Sequence, residues 1–174
     1  SSPSIVRFSE GPSVRAGAAY RVRMHPYFSV ALPHLFGHRG AAGEAPENTL
    51  PAFERAWGAG LRYLETDCHA TRDGEIVLCH DPRLERTCNG QGPISEHSYA
   101  ELEKLDAGYH FSLDGRSHPF RGTGVRILRL SELLEAFPAP HVNLEVKAGD
   151  AAVAGEVGGE VRRGWWEGAL ADAR

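Results

Sequence analysis

The run LRYLETDCHATRDGEIVLCHD, residues 61–81, constrains the fold more than any other stretch of the chain. Two apolar, alternating segments flank Asp73-Gly74, a dipeptide that favours a tight reversal between paired strands. A hairpin is expected here. Side chains alternate between the faces of a strand, so Glu65 and Asp67 share one face. A two-residue turn at Asp73-Gly74 sets Arg72 opposite Glu75, Asp67 opposite His80 and Glu65 opposite Pro82. Glu65, Asp67 and His80 then lie on one face. Cys68 and Cys79 oppose each other on the other, as buried thiols under helices, with a cross-strand disulfide as the alternative. Carboxylates on the inward face of such a strand are costly to bury without a cation.

The same alternation of element types runs from His34 onward. HLFGH (34–38) reads as a short strand, and ENTLPAFERAWGAG as a helix. Asn48 or Thr49 caps that helix, Pro51 sits in its first turn, and Gly60 lies past its end. Leu50, Phe53 and Trp57 fall on one face of it. SYAELEKLDAG is a second helix, with Ser98 and Glu101 at capping-box spacing. SELLEAF is a third, stopped by Pro138; HVNLEVK is a strand; residues 150–163 form a weak helix. Strands alternating with helices imply an α/β fold. Four strands are expected, near 35–37, 62–69, 76–80 and 141–147.

Residues 1–33 differ. Arg7, Arg15, Arg21 and Arg23 stand against Glu10, among scattered Gly, Pro and Ser, and a poorly ordered basic arm is expected. Met24 is the only methionine and a candidate natural start. Of the 174 residues, 41% are hydrophobic and 24% charged, within the globular range. The net charge of −4 argues against a sequence-blind nucleic-acid binder. No apolar run has the roughly 18 residues of a membrane span, and the N-terminus lacks the apolar core of a signal peptide. Three cysteines, Cys68, Cys79 and Cys88, suit a reducing compartment, and the expected location is cytoplasmic.

Chemistry-bearing residues cluster at the strands. Glu145 and Lys147 share a strand face, as Glu65 and Asp67 do. The three carboxylates Glu65, Asp67 and Glu145 make a plausible oxygen site for Ca²⁺ or Mg²⁺. His38 and His80 suit acid and base work near neutral pH. Arg39 suits a phosphate as a fork and Lys147 as a point charge. Taken singly, each motif has a plainer reading: a solvated strand edge, a turn, a surface ion pair. Together they gather at strand ends, where barrel active sites assemble.

GHRGAAGEAPENTLPAF, then LETDCHATRDGEIVLCHDPRLERTCNGQGPI, then NLEVK resemble the glycerophosphodiester phosphodiesterase family, from about His34 to about Arg163. The resemblance implies a (β/α)₈ TIM-type barrel with its site at the C-terminal strand ends. By similarity, His38 and His80 would be the acid/base pair, Glu65, Asp67 and Glu145 the ligands of a divalent cation, and Arg39 and Lys147 the phosphate contacts. The implied reaction converts a glycerophosphodiester to glycerol 3-phosphate and an alcohol, with the substrate's glycerol 2-hydroxyl as nucleophile and a cyclic phosphate on the way. Residues 87–125 would be the family's insertion; Gly90, Gly92, Tyr109, His110, Phe111 and His118 lie in it, and its histidines read as loop surface.

Two departures stand out. Leu128-Arg129-Leu130 replaces the family's Pro-Thr-Leu, which implies an altered turn. A closed barrel takes about 250 residues, whereas about 140 follow His34, so only about the first half is expected in residues 34–174. A fragment of a longer protein, an inactive remnant and a self-associating half-barrel with open edges all remain open. So does a phospholipase D-type lyase acting on lysophospholipids.

Overall fold

The computed structural model describes residues 33–138 and 140–147. The basic arm, all but its last residue, lies outside them, as does the helix expected at 150–163.

Among the described residues four strands form one sheet. They are β1 (Phe36–His38), β2 (Tyr63–Ala70), β3 (Ile76–Leu78) and β4 (His141–Val146). β2 is the hub. β1 pairs with it in parallel through Tyr63, Leu64 and Glu65, and β4 in parallel from Tyr63 to Cys68. β3 returns antiparallel against Cys68–Ala70. Residues 63–65 pair with β1 and β4 at once, and Cys68 pairs with β3 and β4 at once. A strand has two edges, so β1 and β3 follow one another along one edge of β2 and β4 runs along the other. The architecture is α/β. Of the four expected strands, three are parallel neighbours and β3 is the return arm of the hairpin.

The hairpin register differs from the expected one by a single residue. Thr71 N–H donates to Glu75 O at 2.9 Å, and Gly74 has φ of 86°. The loop therefore holds three residues, Arg72-Asp73-Gly74, with the glycine in the left-handed position such a loop requires. Thr71 Oγ1 stabilises it by donating to Asp73 Oδ1 at 2.6 Å and accepting from Glu75 N–H at 3.0 Å. The slip changes every cross-strand partner. Cys68 faces Leu78, and Cys79 N–H donates to Asp67 O at 3.0 Å. The cysteines do not oppose each other: Cys68 belongs to one buried cluster, Cys79 to another, and none of the three cysteines forms a disulfide. Burial pushes the Cys79 thiol up to about 12.

The two clusters lie on the two faces of the hairpin. Leu64, Cys68, Ile76 and Leu78 pack with α1 (Leu50–Gly58) and α3 (Leu130–Ala136). Val77 and Cys79 pack with the excursion between β3 and α3, through Leu84, Cys88, Ile94, Tyr99, Leu102 and Ile127. α1 forms as its sequence implies, with Thr49 at the N-cap position, Pro51 in the first turn and Gly60 at φ 90°. Phe53 is fully buried, while Leu50 and Trp57 are half-buried against the same cluster. Gly40 admits this helix. A Cβ there would come within 2.6 Å of Ala52 C, and its φ is 79°. The room beside Gly40 is taken by α1.

The second helix, α2 (Tyr99–Leu102), is shorter than its pattern suggests. Its start is secured: Glu101 accepts from Ser98 N–H at 2.7 Å, and Asp73 from Tyr99 N–H at 3.0 Å. Its end is set by Asp106, whose carboxylate accepts from Gly108 N–H and Gly122 N–H, a local alternative to helical bonding. Leu128-Arg129 runs beside β3, with Leu78 N–H donating to Leu128 O and a bridge between Val77 and Arg129, and α3 begins at Leu130.

α3 opens on an ionic cap. Glu132 accepts from Arg129 N–H at 2.9 Å and from Arg126 Nη2 at 2.5 Å. Burial alone would push this carboxyl up; the Arg126 guanidinium, the Arg129 N–H and the two charges outweigh it and hold it down at about 2. A depressed carboxyl adds stability that is present above its unfolded value and lost as pH falls toward the folded one. Glu132→Gln is expected to lower stability at pH 7 by about 1–3 kcal/mol. Urea unfolding of both proteins should show the gap closing between about pH 5 and pH 2.

Candidate active site

The carboxylates expected together are together. Ligand oxygens of Glu65, Asp67 and Glu145 all lie within 4.8 Å of one another. β2 supplies the first two at alternate positions, and β4 presents Glu145 because it pairs with Asp67. Asp67 is 1% exposed. Lys147 Nζ bridges two members, 3.0 Å from Asp67 Oδ1 and 2.8 Å from Glu145 Oε1. These bonds, led by the one to Glu145, hold the ammonium above its ordinary value. An ammonium between two of the three carboxylates shows that the cluster attracts a cation. All-oxygen donors suit a hard divalent ion, so the residues fit Ca²⁺ or Mg²⁺.

His38 ends β1, opposite Glu65 in the parallel register. Its side chain is 67% exposed, with Nε2 3.8 Å from Glu65 Oε2. The chain then turns through Arg39, which has φ of 51°. A non-glycine residue in this region is strained by about 1–3 kcal/mol. The turn brings Arg39 N–H to Glu65 Oε2 at 3.1 Å. The guanidinium reaches Glu47 Oε1 at 3.1 Å, and its Nε lies 3.2 Å from Asp67 Oδ2 as an ion pair. Arg39 and Lys147, expected as phosphate contacts, thus flank the same buried carboxylate.

His80 reaches the site by a route the residue count did not foresee. In the observed register Asp67 faces Cys79, so a continuing strand would turn His80 away. β3 ends at Leu78, however, and alternation ends with it. His80 instead lines a cavity of about 650 Å³ with His69, Thr71, Arg72, Asp81, Lys147 and others. His69 holds it there. The ring is buried, which pushes it below its ordinary value, and its Nε2 donates to His80 O at 3.2 Å.

Several contributors escaped the sequence reading. Asn48, read as a cap, has φ of 57° and donates through Nδ2 to Asp67 Oδ2 at 3.3 Å, while Thr66 Oγ1 donates to its Oδ1 at 2.8 Å. Its neighbour Glu47 accepts two bonds from Arg86, at 2.6 and 2.8 Å. Burial opposes the charge on Glu47, but Arg86 and Arg39 outweigh it and the carboxyl sits below its ordinary value. Asp81 accepts from Arg86 Nε at 2.5 Å and from His80 Nδ1 at 2.6 Å. The Pro-Glu-Asn-Thr run carried a signal for Glu47 and Asn48; nothing in the sequence marked Arg86 apart from other surface arginines.

The chain is similar to known proteins. The Glycerophosphoryl diester phosphodiesterase family matches residues 38–163. The chain is 35% identical over 119 residues to the glycerophosphodiester phosphodiesterase of Bacillus subtilis (strain 168), covering 65% of this chain and 39% of that protein. It is 38% identical over 120 residues to Lysophospholipase D GDPD1 of Rattus norvegicus, covering 67% of this chain and 37% of that protein. The crystal structure of glycerophosphodiester phosphodiesterase from Agrobacterium tumefaciens str. C58 superposes with a TM-score of 0.63 at 35% identity, over 74% of this chain and 52% of that one. An Oleispira antarctica phosphodiesterase in complex with the product sn-glycerol-3-phosphate gives 0.60 at 34% identity, over 72% and 51%. The chain thus spans about two fifths of the length of these curated relatives. The matched span takes in every residue of the carboxylate cluster and both histidines, and the chain belongs to the glycerophosphoryl diester phosphodiesterase family.

Proposed function

We propose that this chain carries the acid/base and cation-binding part of an enzyme that cleaves glycerophosphodiesters to glycerol 3-phosphate and an alcohol. The convergence of Glu65, Asp67 and Glu145 beside a cavity that also receives His80 and Lys147 carries the reading. The family match and the product held by the Oleispira antarctica relative support it.

In this proposal Glu65, Asp67 and Glu145 hold Ca²⁺ or Mg²⁺, which neutralises charge on the phosphoryl oxygens when bound. Arg39 and Lys147 hold the phosphate. One of His38 and His80 takes the proton from the substrate's glycerol 2-hydroxyl, whose oxygen attacks phosphorus. The other gives a proton to the alcohol oxygen as its bond to phosphorus breaks. Water then opens the cyclic phosphate, with the histidine roles reversed. None of these steps uses a serine or cysteine nucleophile, in keeping with the buried thiols.

The fold belongs to the same reading. β1, β2 and β4 are three neighbouring parallel strands of a (β/α)₈ barrel, 34–174 is the partial barrel domain, and 87–125 its insertion. Further strands, from elsewhere in a longer protein or from a second copy, would close it. A small-molecule substrate and a cytoplasmic setting are part of the proposal. Among the described residues no helix is long and apolar enough to cross a membrane.

A second substrate has an observation behind it. Phe111 and Leu113, the latter 68% exposed, line a cavity of about 250 Å³ with Glu47 and Arg86. An apolar lip suits an acyl chain, as in a lysophospholipid. The chain is incubated with glycerophosphocholine or lysophosphatidylcholine, with Ca²⁺, Mg²⁺ or chelator. Metal-dependent release of glycerol 3-phosphate from the first supports the main reading. Release of choline with a cyclic phosphate from the second alone favours the lyase. Silence under every condition favours an inactive half-barrel. Size-exclusion chromatography giving a clean monomer overturns self-association.

A further inference from the structure

Arg86 lies at the head of the long excursion between β3 and α3, away from the carboxylate cluster, yet it touches both arms of the site. Its Nη1 and Nη2 grip Glu47 at 2.8 and 2.6 Å, and its Nε meets Asp81 Oδ2 at 2.5 Å. Each carboxylate has a second partner at the site. Glu47 Oε1 accepts from Arg39 Nη1 at 3.1 Å. Asp81 Oδ1 takes the His80 ring at 2.6 Å. The contacts form one line, His80–Asp81–Arg86–Glu47–Arg39, joining the segment after β3 to the segment after β1.

We propose that Arg86 is a positioning residue, which through Asp81 fixes the tautomer and orientation of the His80 ring and through Glu47 fixes the Arg39 guanidinium. The inference rests on the functional reading above for what His80 and Arg39 do, and on the contacts for how they are held. An ionised carboxylate only accepts hydrogen bonds. Arg86 and His80 hold the Asp81 carboxyl at about 2, against the lesser pull of burial. His80 Nδ1 must then carry the proton, and in the neutral ring Nε2 keeps the lone pair a base needs. Glu47 likewise restrains Arg39 at a position where the backbone is strained. A planar fork that meets one carboxylate with two nitrogens and a second with the third is a task for arginine; an ammonium cannot reproduce it.

The test uses the full chain with Arg86→Gln, Arg86→Lys and Asp81→Asn. Nitrogen NMR of the His80 ring reports the tautomer without any turnover. The wild type should show the Nδ1–H form, and Asp81→Asn and Arg86→Gln a mixture shifted toward Nε2–H. In assays, Arg86→Gln should lower kcat by about 10–100-fold, with KM changed less than about threefold and divalent-ion affinity unchanged. Arg86→Lys should recover little of that loss. Wild-type ring signals in both Arg86→Gln and Asp81→Asn would overturn the proposal, as would full kcat in Arg86→Lys. If Arg86→Gln fails to fold by circular dichroism, Asp81→Asn still decides, since it alters His80's partner and leaves the shape intact. Absence of turnover in the wild type would count against the functional reading, while the ring signals would still decide the role of Arg86.

Discussion

His80→Ala is expected to lower glycerol 3-phosphate release from glycerophosphocholine by about 10²–10⁴-fold while divalent-ion binding persists. His80 lines the cavity beside Lys147, and its ring is held by Asp81, so its loss removes a positioned proton carrier. The cluster that would hold the ion is built elsewhere, from alternate residues of β2 and one of β4. Its neighbours include Arg39, Asn48, Lys147 and His38. Calorimetry with Ca²⁺ and Mg²⁺ should therefore give affinities within about threefold of wild type, at a rate lowered by orders of magnitude. His38→Ala should act alike. Its ring is exposed and 3.8 Å from Glu65, so little packing is lost with it and the fall in rate can be assigned to chemistry. Near-full activity in either variant would remove that histidine from the acid/base pair.

The contrast between the two histidines shows what the sequence could and could not reveal. His38 was legible because it terminates a strand, and parallel pairing places it beside Glu65. For His80 the residue count gives the wrong cross-strand partner. Asp73-Gly74 signals a hairpin, but the same dipeptide serves two- and three-residue loops. The choice fell to Thr71, whose hydroxyl bonds to Asp73 and to the Glu75 N–H favour the longer loop. One added residue exchanges the faces of the return strand and separates Cys68 from Cys79. His80 reaches the cavity only because β3 stops two residues before it.

Local pattern served well where physics is local. Thr49, Pro51 and Gly60 bounded α1, and Ser98 with Glu101 opened α2. It failed where partners are distant in the chain. Arg86 and Glu47 are thirty-nine residues apart, and no periodicity joins them. Asn48 signalled a helix cap, whereas its amide is committed to Asp67 and Thr66. Nothing local in the sequence shows that Ala52 of α1, twelve residues on, packs against Gly40.

The largest effect on stability is expected at Asp67. Its carboxylate is 1% exposed, and it faces Lys147 Nζ at 3.0 Å, Arg39 Nε at 3.2 Å and Asn48 Nδ2 at 3.3 Å. Two cations thus share one buried anion. Asp67→Asn keeps the shape and removes the charge, leaving both cations under-compensated in a low-dielectric setting. Breaking a buried pair in this way costs about 3–5 kcal/mol. For a domain of this size that is a fall in Tm of roughly 10 °C or more, readable by thermal melts. Glu145 provides the comparison. Its side chain is 59% exposed, and its bond to Lys147 is a surface contact worth at most about 1 kcal/mol. Glu145→Gln should melt within a few degrees of wild type. Both variants remove one of three carboxylates, so both should weaken Ca²⁺ or Mg²⁺ binding by at least about tenfold. Equal melting temperatures for the two would show that Asp67 does not anchor the cations. Unchanged ion affinity in both would show that the three carboxylates do not form one cation site.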